Sequence, residues 1–124
     1  MRNIGTDQVS TAQLAQHRPL NHTHAMIIEW DETKNEACYN QRGFDFAYAT
    51  KAFFDPDRIV RADTRHSYGE ARYQLMGRIE ERLFIVVYTP RSHTTRIISA
   101  RKANQREIKD YESRNRTENN PHDD

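Results

Sequence analysis

Arg82-Leu-Phe-Ile-Val-Val-Tyr-Thr89 is apolar on both of the faces that a β-strand presents in alternation, so it marks the centre of a sheet. Its neighbours supply the rest of that sheet. Glu70 to Ile79 alternates, with Ala71, Tyr73 and Leu75 on one face and Glu70, Arg72 and Gln74 on the other. Glu80-Glu81 makes the turn between these two segments. Pro90-Arg-Ser-His93 makes the next turn, and Thr94 to Arg101 follows as a further strand. Consecutive strands joined by short polar turns predict an antiparallel arrangement.

The first half of the chain reads differently. Met26-Ile-Ile-Glu-Trp30 is a short apolar strand, and Asp31 is placed to cap a helix with Glu32 in its first turn. Gly43 is placed to end that helix. Phe44-Asp45 opens a second short helix with Phe46, Ala49, Ala52 and Phe53 on its apolar face, and Asp55-Pro56 stops it. Arg58 to Ala62 reads as an edge strand and Asp63 to Gly69 as a polar loop. Asn104, with Glu107 three residues on, is a capping-box signature for a helix from about Gln105 to Arg114, on which Ile108 and Tyr111 share a face. The predicted fold is α+β: a small antiparallel sheet of about four to five strands, two N-terminal helices and one C-terminal helix, with the helices covering one face. Residues 1–25 read as a polar extension that is flexible or folds only on a partner, 26–114 as the globular domain, and 115–124 as an acidic polar tail.

A chain of 124 residues makes one domain, and 35% hydrophobic against 30% charged residues allows only a small core. No apolar run is long enough to span a membrane, and the N-terminus lacks the apolar stretch of a signal peptide. Cys38, the single cysteine, cannot form an internal disulfide, which suits a reducing cytoplasm, and its expected role is helix packing. The formal charge of +1 hides an asymmetry: residues 1–57 carry a net −3, residues 58–116 a net +7 and residues 117–124 a net −3. Of the 19 basic residues 15 are arginine, the residue suited to a two-point grip on phosphate. Arg96 and Arg101 bracket Ile97-Ile-Ser-Ala100, and the strand delivers Arg101 and Lys102 to a helix N-terminus, a place where a phosphate could sit. His22 and His24, with no Cys or carboxylate nearby, make a poor metal site.

Several separate motifs resemble one family. Glu29-Trp-Asp-x-x-Lys34, Gly43-Phe-Asp-Phe46, Asp55-Pro56, Glu70-x-Arg72, Gly77, Arg96-Ile-Ile-Ser-Ala-Arg101, Glu107 and Tyr111 look like the BrnT toxins, which are RelE-like ribonucleases of bacterial type II toxin–antitoxin systems. The resemblance covers residues 26 to about 113. Members commonly carry Asn where this chain has Cys38, and Lys-His-Gly where it has Gln41-Arg42-Gly43.

The resemblance implies cleavage of RNA through the substrate's own 2′-hydroxyl, with no metal or other cofactor. A base must take the 2′-hydroxyl proton, cations must stabilise the phosphorane, and an acid must protonate the departing 5′-oxygen. Arg72, Arg96 and Arg101 are the candidates for the phosphorane. Arg96 and Arg101 are five apart, so on a regular strand they point to opposite faces and share a site only if the strand ends or twists between them. A salt bridge to Glu70 or another acid is the structural alternative for Arg96, and a helix contact that for Arg101. Lys34, His66, Glu70 and Tyr111 are the proton-transfer candidates; Glu70 is alternatively an ion-pair partner that orients Arg72, and Tyr111 a core residue. Arg91, Ser99 and Lys102 are candidate RNA contacts. The implied partner is a BrnA-type antitoxin with a ribbon-helix-helix DNA-binding part, in a toxin–antitoxin heterotetramer whose complex binds operator DNA. An inactive homologue that only docks its antitoxin or binds RNA is the alternative function.

Overall fold

The computed structural model describes residues 9–14, 26–65 and 69–119. The strands are β1 (Val9–Leu14), β2 (Met26–Asp31), β3 (Ile59–Ala62), β4 (Tyr73–Ile79), β5 (Arg82–Arg91) and β6 (Thr94–Lys102). The helices are α1 (Glu32–Arg42), α2 (Phe46–Ala49), which continues into a 3-10 turn at Thr50–Phe54, and α3 (Gln105–Asn119). The fold is α+β, as the sequence predicts. The strands form one sheet in the order β1-β2-β6-β5-β4-β3, and β5 lies inside it as its two apolar faces require.

Four features differ from expectation. The sheet is mixed, because β2 runs parallel to β6, with Ile28 opposite Thr95 and Trp30 opposite Ile97. A hydrophobic pattern does not carry strand direction, and only the turns do; β2 and β6 are joined by no turn. Val9–Leu14 pairs antiparallel with β2 along its whole length, so a segment with no strong pattern of its own forms a strand on the backbone edge that β2 offers. The helices do not share a face. α1, α2 and the 3-10 turn cover a core of Ile28, Trp30, Phe46, Phe84, Val86 and Ile97. α3 instead covers part of the opposite face, where Tyr111 and Ile108 pack with Met76, Leu83 and Ile85. α3 also runs to Asn119, past the predicted end near Arg114.

Local chemistry explains the element ends. The Asp31 side chain accepts from the Thr33 and Lys34 amides, and Gly43 closes α1 at φ 86°, where its own N–H bonds Tyr39 O. Asp45 caps α2 by accepting from the Tyr48 amide. Asp55 ties the three layers together. One carboxylate oxygen accepts from the Arg78 amide at 2.7 Å and from the Tyr111 hydroxyl at 2.5 Å, the other from the Asp57 amide at 2.8 Å.

Candidate nucleic-acid interface

Whether Arg96 and Arg101 share a face depends on one irregularity in β6. Val87 lies opposite Ser99 and Tyr88 opposite Ile97, which leaves Ile98 as an extra residue in a β-bulge. Arg96 therefore lies opposite Thr89 and Arg101 opposite Ile85, two positions on the same side of β5. The bulge turns an odd spacing into a shared face, so the condition that the sequence spacing demanded is met. This is the face that α3 partly covers. Beyond α3 it carries exposed Ser99 and half-buried Arg96 and Arg101, beside the buried Val87 and Thr89.

The arginines around this face are each held by a carboxylate. Arg96 faces Glu29 at 3.6 Å, across the β2–β6 pair. Glu29, not Glu70, is its partner. Arg101 makes a two-point bond to Glu107, at 2.9 and 2.7 Å. Glu70 bridges Arg72 at 3.4 Å and Arg91 at 3.5 Å. Arg61 bonds Asp110 at 2.6 Å, and Arg65 bonds Asp63 at 2.8 Å. β4 begins at Tyr73, so Glu70 and Arg72 sit just before the strand; the Asp63 amide, bonded to Arg72 O at 2.8 Å, extends the β3–β4 pairing to them.

Electrostatics follow these pairs. The bond from Arg101 holds the Glu107 carboxyl below its usual range, and the same bond holds the Arg101 guanidinium above its own, against burial and the nearby Arg65 cation. Bonds from Arg61 and Arg114 lower Asp110, and the bond from Arg65 lowers Asp63. The expected phosphate site at the α3 N-terminus is filled by the chain itself. The Glu107 side chain accepts from the Asn104 amide at 2.9 Å, and the Asn104 side chain accepts from the Glu107 amide at 2.8 Å.

Two candidates are placed elsewhere. Tyr111 is buried on the sheet-facing side of α3, where its hydroxyl donates to Asp55, and burial together with that carboxylate pushes the hydroxyl far above the ordinary tyrosine range. Lys102 lies opposite Phe84, on the other face from Arg101, where Phe84 joins the core under α1 and α2. Lys34 is exposed on α1 and lines a groove with Gln41, Ile98 and Ser99, so it borders the arginine face at Ser99. Arg91 lies at the end of β5 on the same side as Thr89. His66, His22 and His24 lie outside the described residues. Among the described residues no group of three or more His, Cys, Asp and Glu is placed to hold a metal ion. No helix among them is long and apolar enough to cross a membrane.

Sequence reasoning missed the roles of Glu29, Arg61 and Arg65. Glu29 carried a signal: it is the one charged residue inside the apolar run Met26-Ile-Ile-Glu-Trp30. Arg61 and Arg65 carried none, because their place depends on how β3 and the following loop fold over the sheet.

Fold and face together define a small α+β domain with arginines gathered on one side of a mixed sheet, an arrangement suited to a phosphate-rich ligand. A family model described as the ribonuclease toxin BrnT of a type II toxin–antitoxin system matches residues 30–107, and the chain belongs to that family. Membership implies an RNA substrate and an antitoxin partner. No curated protein matches the chain.

Proposed function

We propose that this chain is an endoribonuclease toxin that cleaves RNA by attack of the 2′-hydroxyl, on the sheet face that carries Arg96 and Arg101. The observation that carries the reading is the bulge at Ile98, because it brings both arginines to one face. The loose 3.6 Å contact to Glu29 leaves most of the Arg96 fork for a phosphate, whereas Arg101 must first exchange Glu107 for it. Arg72 contributes from the Glu70 cluster. Glu70 and Lys34 are the proton carriers, with His66 as the third group to test. No metal enters this scheme, since the substrate supplies the nucleophile and the arginines the positive charge. The toxin slows translation in the cytoplasm. A BrnA-type antitoxin with a ribbon-helix-helix part neutralises it in a heterotetramer, and that complex binds operator DNA.

The test is induced expression of the chain alone in a bacterial host, with growth and total RNA followed together and Arg96→Ala beside it. Arrest with RNA cleavage is expected for the unaltered chain. Arg96→Ala should lose about 10²–10³ in cleavage rate, the usual cost of one donor to a developing oxyanion, while still folding and binding its antitoxin. Normal growth with folded protein and intact RNA would overturn the reading in favour of an inactive docking homologue.

A further inference from the structure

Behind the arginine face the molecule carries a second basic region of a different kind. A cleft of about 480 Å³ opens between the end of α1 and the adjoining ends of β5 and β6. Arg42, Arg82 and Lys102 reach it from those three elements, and Tyr39 and Tyr48 supply rings beside a floor of Phe44 and Phe84. None of these three cations has an ion-pair partner among the described residues. That contrasts with the arginine face, where each arginine named above is already held by a carboxylate. Tyr39 is 59% exposed, unusual for so large a ring, and is free to stack. Asp45 is the acid of the cleft, and its side chain is committed to the Tyr48 amide.

The cleft is also connected to the arginine face. Beyond Ile97, β6 has no strand on its outer side, because the chain leaves β2 at Asp31 and enters α1. The space between α1 and that free edge is a groove of about 320 Å³, lined by Lys34 and Gln41 on one side and by Ile98 and Ser99 on the other. Ser99 lies on the arginine face, and Arg42 lines both the groove and the cleft. The route therefore runs from Arg96 and Ser99, past Lys34, to Arg42 and Tyr39.

We infer that this route is a track for single-stranded RNA, and that the cleft is a subsite for a nucleotide several positions away from the scissile bond. A base would stack on Tyr39 and its flanking phosphates would meet Arg42, Arg82 and Lys102. Exposed aromatic surface beside uncommitted cations is the chemistry of single-strand binding without strong base selection. An acidic protein segment would satisfy the cations too, but it gives no reason for a groove that shares Arg42 with the cleft and Ser99 with the arginine face. The inference rests on the ribonuclease reading and deepens it, by making the length of the RNA matter.

The test uses the full chain and fluorescent 2′-O-methyl RNA, which lacks the attacking hydroxyl, as a short and a long mixed-sequence probe. Affinity is read by anisotropy, and Tyr39→Ala and Arg82→Ala are compared with Arg96→Ala. Both cleft residues are exposed, and thermal melts confirm that the variants fold. The track predicts that Tyr39→Ala weakens the long probe by roughly fivefold or more, the low end for a lost base stack. It predicts that Arg82→Ala flattens the salt dependence of long-probe binding, and that Arg96→Ala weakens both probes. Long-probe binding unaltered in Tyr39→Ala and Arg82→Ala would overturn the track while leaving the ribonuclease reading standing. Loss of affinity for purified antitoxin in these variants, with RNA binding intact, would also overturn it and give the cleft to the antitoxin. Failure of the unaltered chain to bind either probe, together with failure to cleave RNA in cells, would overturn both.

Discussion

Glu107 shows how much one side chain can be asked to do. It completes the capping box with Asn104 and also holds Arg101 by two bonds. The first role was legible, because a capping box is a local pattern of Asn and Glu at fixed spacing. The second was not, since it depends on how the chain turns between β6 and α3. The pair has a consequence for stability against pH. The folded Glu107 carboxyl lies below its ordinary value of 4.5, so below that pH the unfolded chain binds more protons than the folded one. The contribution is fully present above 4.5 and is lost as pH falls through the lower folded value. Glu107→Gln keeps the capping box but not the charge, and should cost on the order of 1 kcal/mol at neutral pH. Urea melts of both proteins should converge as the pH falls below 4.5 and through the lowered folded value of the Glu107 carboxyl. A gap that persists undiminished in acid would mean that the ion pair is not its source. The burial of Cys38, which brings its thiol within 3.7 Å of Ala100 O, is likewise a packing role, as the sequence suggested.

At the scale of elements, most strand and helix positions could be read, since caps, turns and alternation are short-range signals. Asp31, Asp45 and Gly43 mark helix ends in the sequence and do so in the structure. The bulge in β6 was half legible: the spacing of Arg96 and Arg101 said that a shared site required an irregular strand, but not that Ile98 would supply it. That choice is made by register against β5. Gly77 makes a similar point about packing. It lies in β4, and a Cβ built there would sit 2.3 Å from the backbone oxygen of Ala52 in the 3-10 turn. The glycine is what lets that turn lie directly on the sheet. Gly77→Ala should destabilise the chain by about 1–3 kcal/mol, the range for overpacking a closed interior. In a domain of this size each kcal/mol lowers the melting temperature by about 4–8 °C. Calorimetry that finds an unshifted melt would show that the turn yields at no cost, against the close contact drawn here.

For the whole molecule, composition and element order were enough for the α+β class, but not for the placement of the helices on both faces or for the sixth strand. Ile108 and Tyr111 say that α3 has an apolar face, and nothing in their spacing says which side of the sheet it meets. β1 was invisible because its partner, not its own pattern, makes it a strand. Its pairing with Met26–Asp31 has a consequence for assembly, since β2 would otherwise be an edge with unpaired backbone groups. In an antiparallel pair, alternate residues of the edge strand point their N–H groups toward the partner. Proline at one of Thr11 and Ala12 therefore removes a ladder bond, while proline at the other loses only an outward N–H. One of Thr11→Pro and Ala12→Pro should loosen β1 and bare the edge of β2, and that variant alone should self-associate as concentration rises. Light scattering on the two variants and the unaltered chain measures this directly. Monomeric behaviour of both variants, with amide exchange along β2 as slow as in the unaltered chain, would mean that β1 is not what protects this edge. Faster exchange without association would mean that β1 covers the edge but that β2 is too short to recruit a second copy.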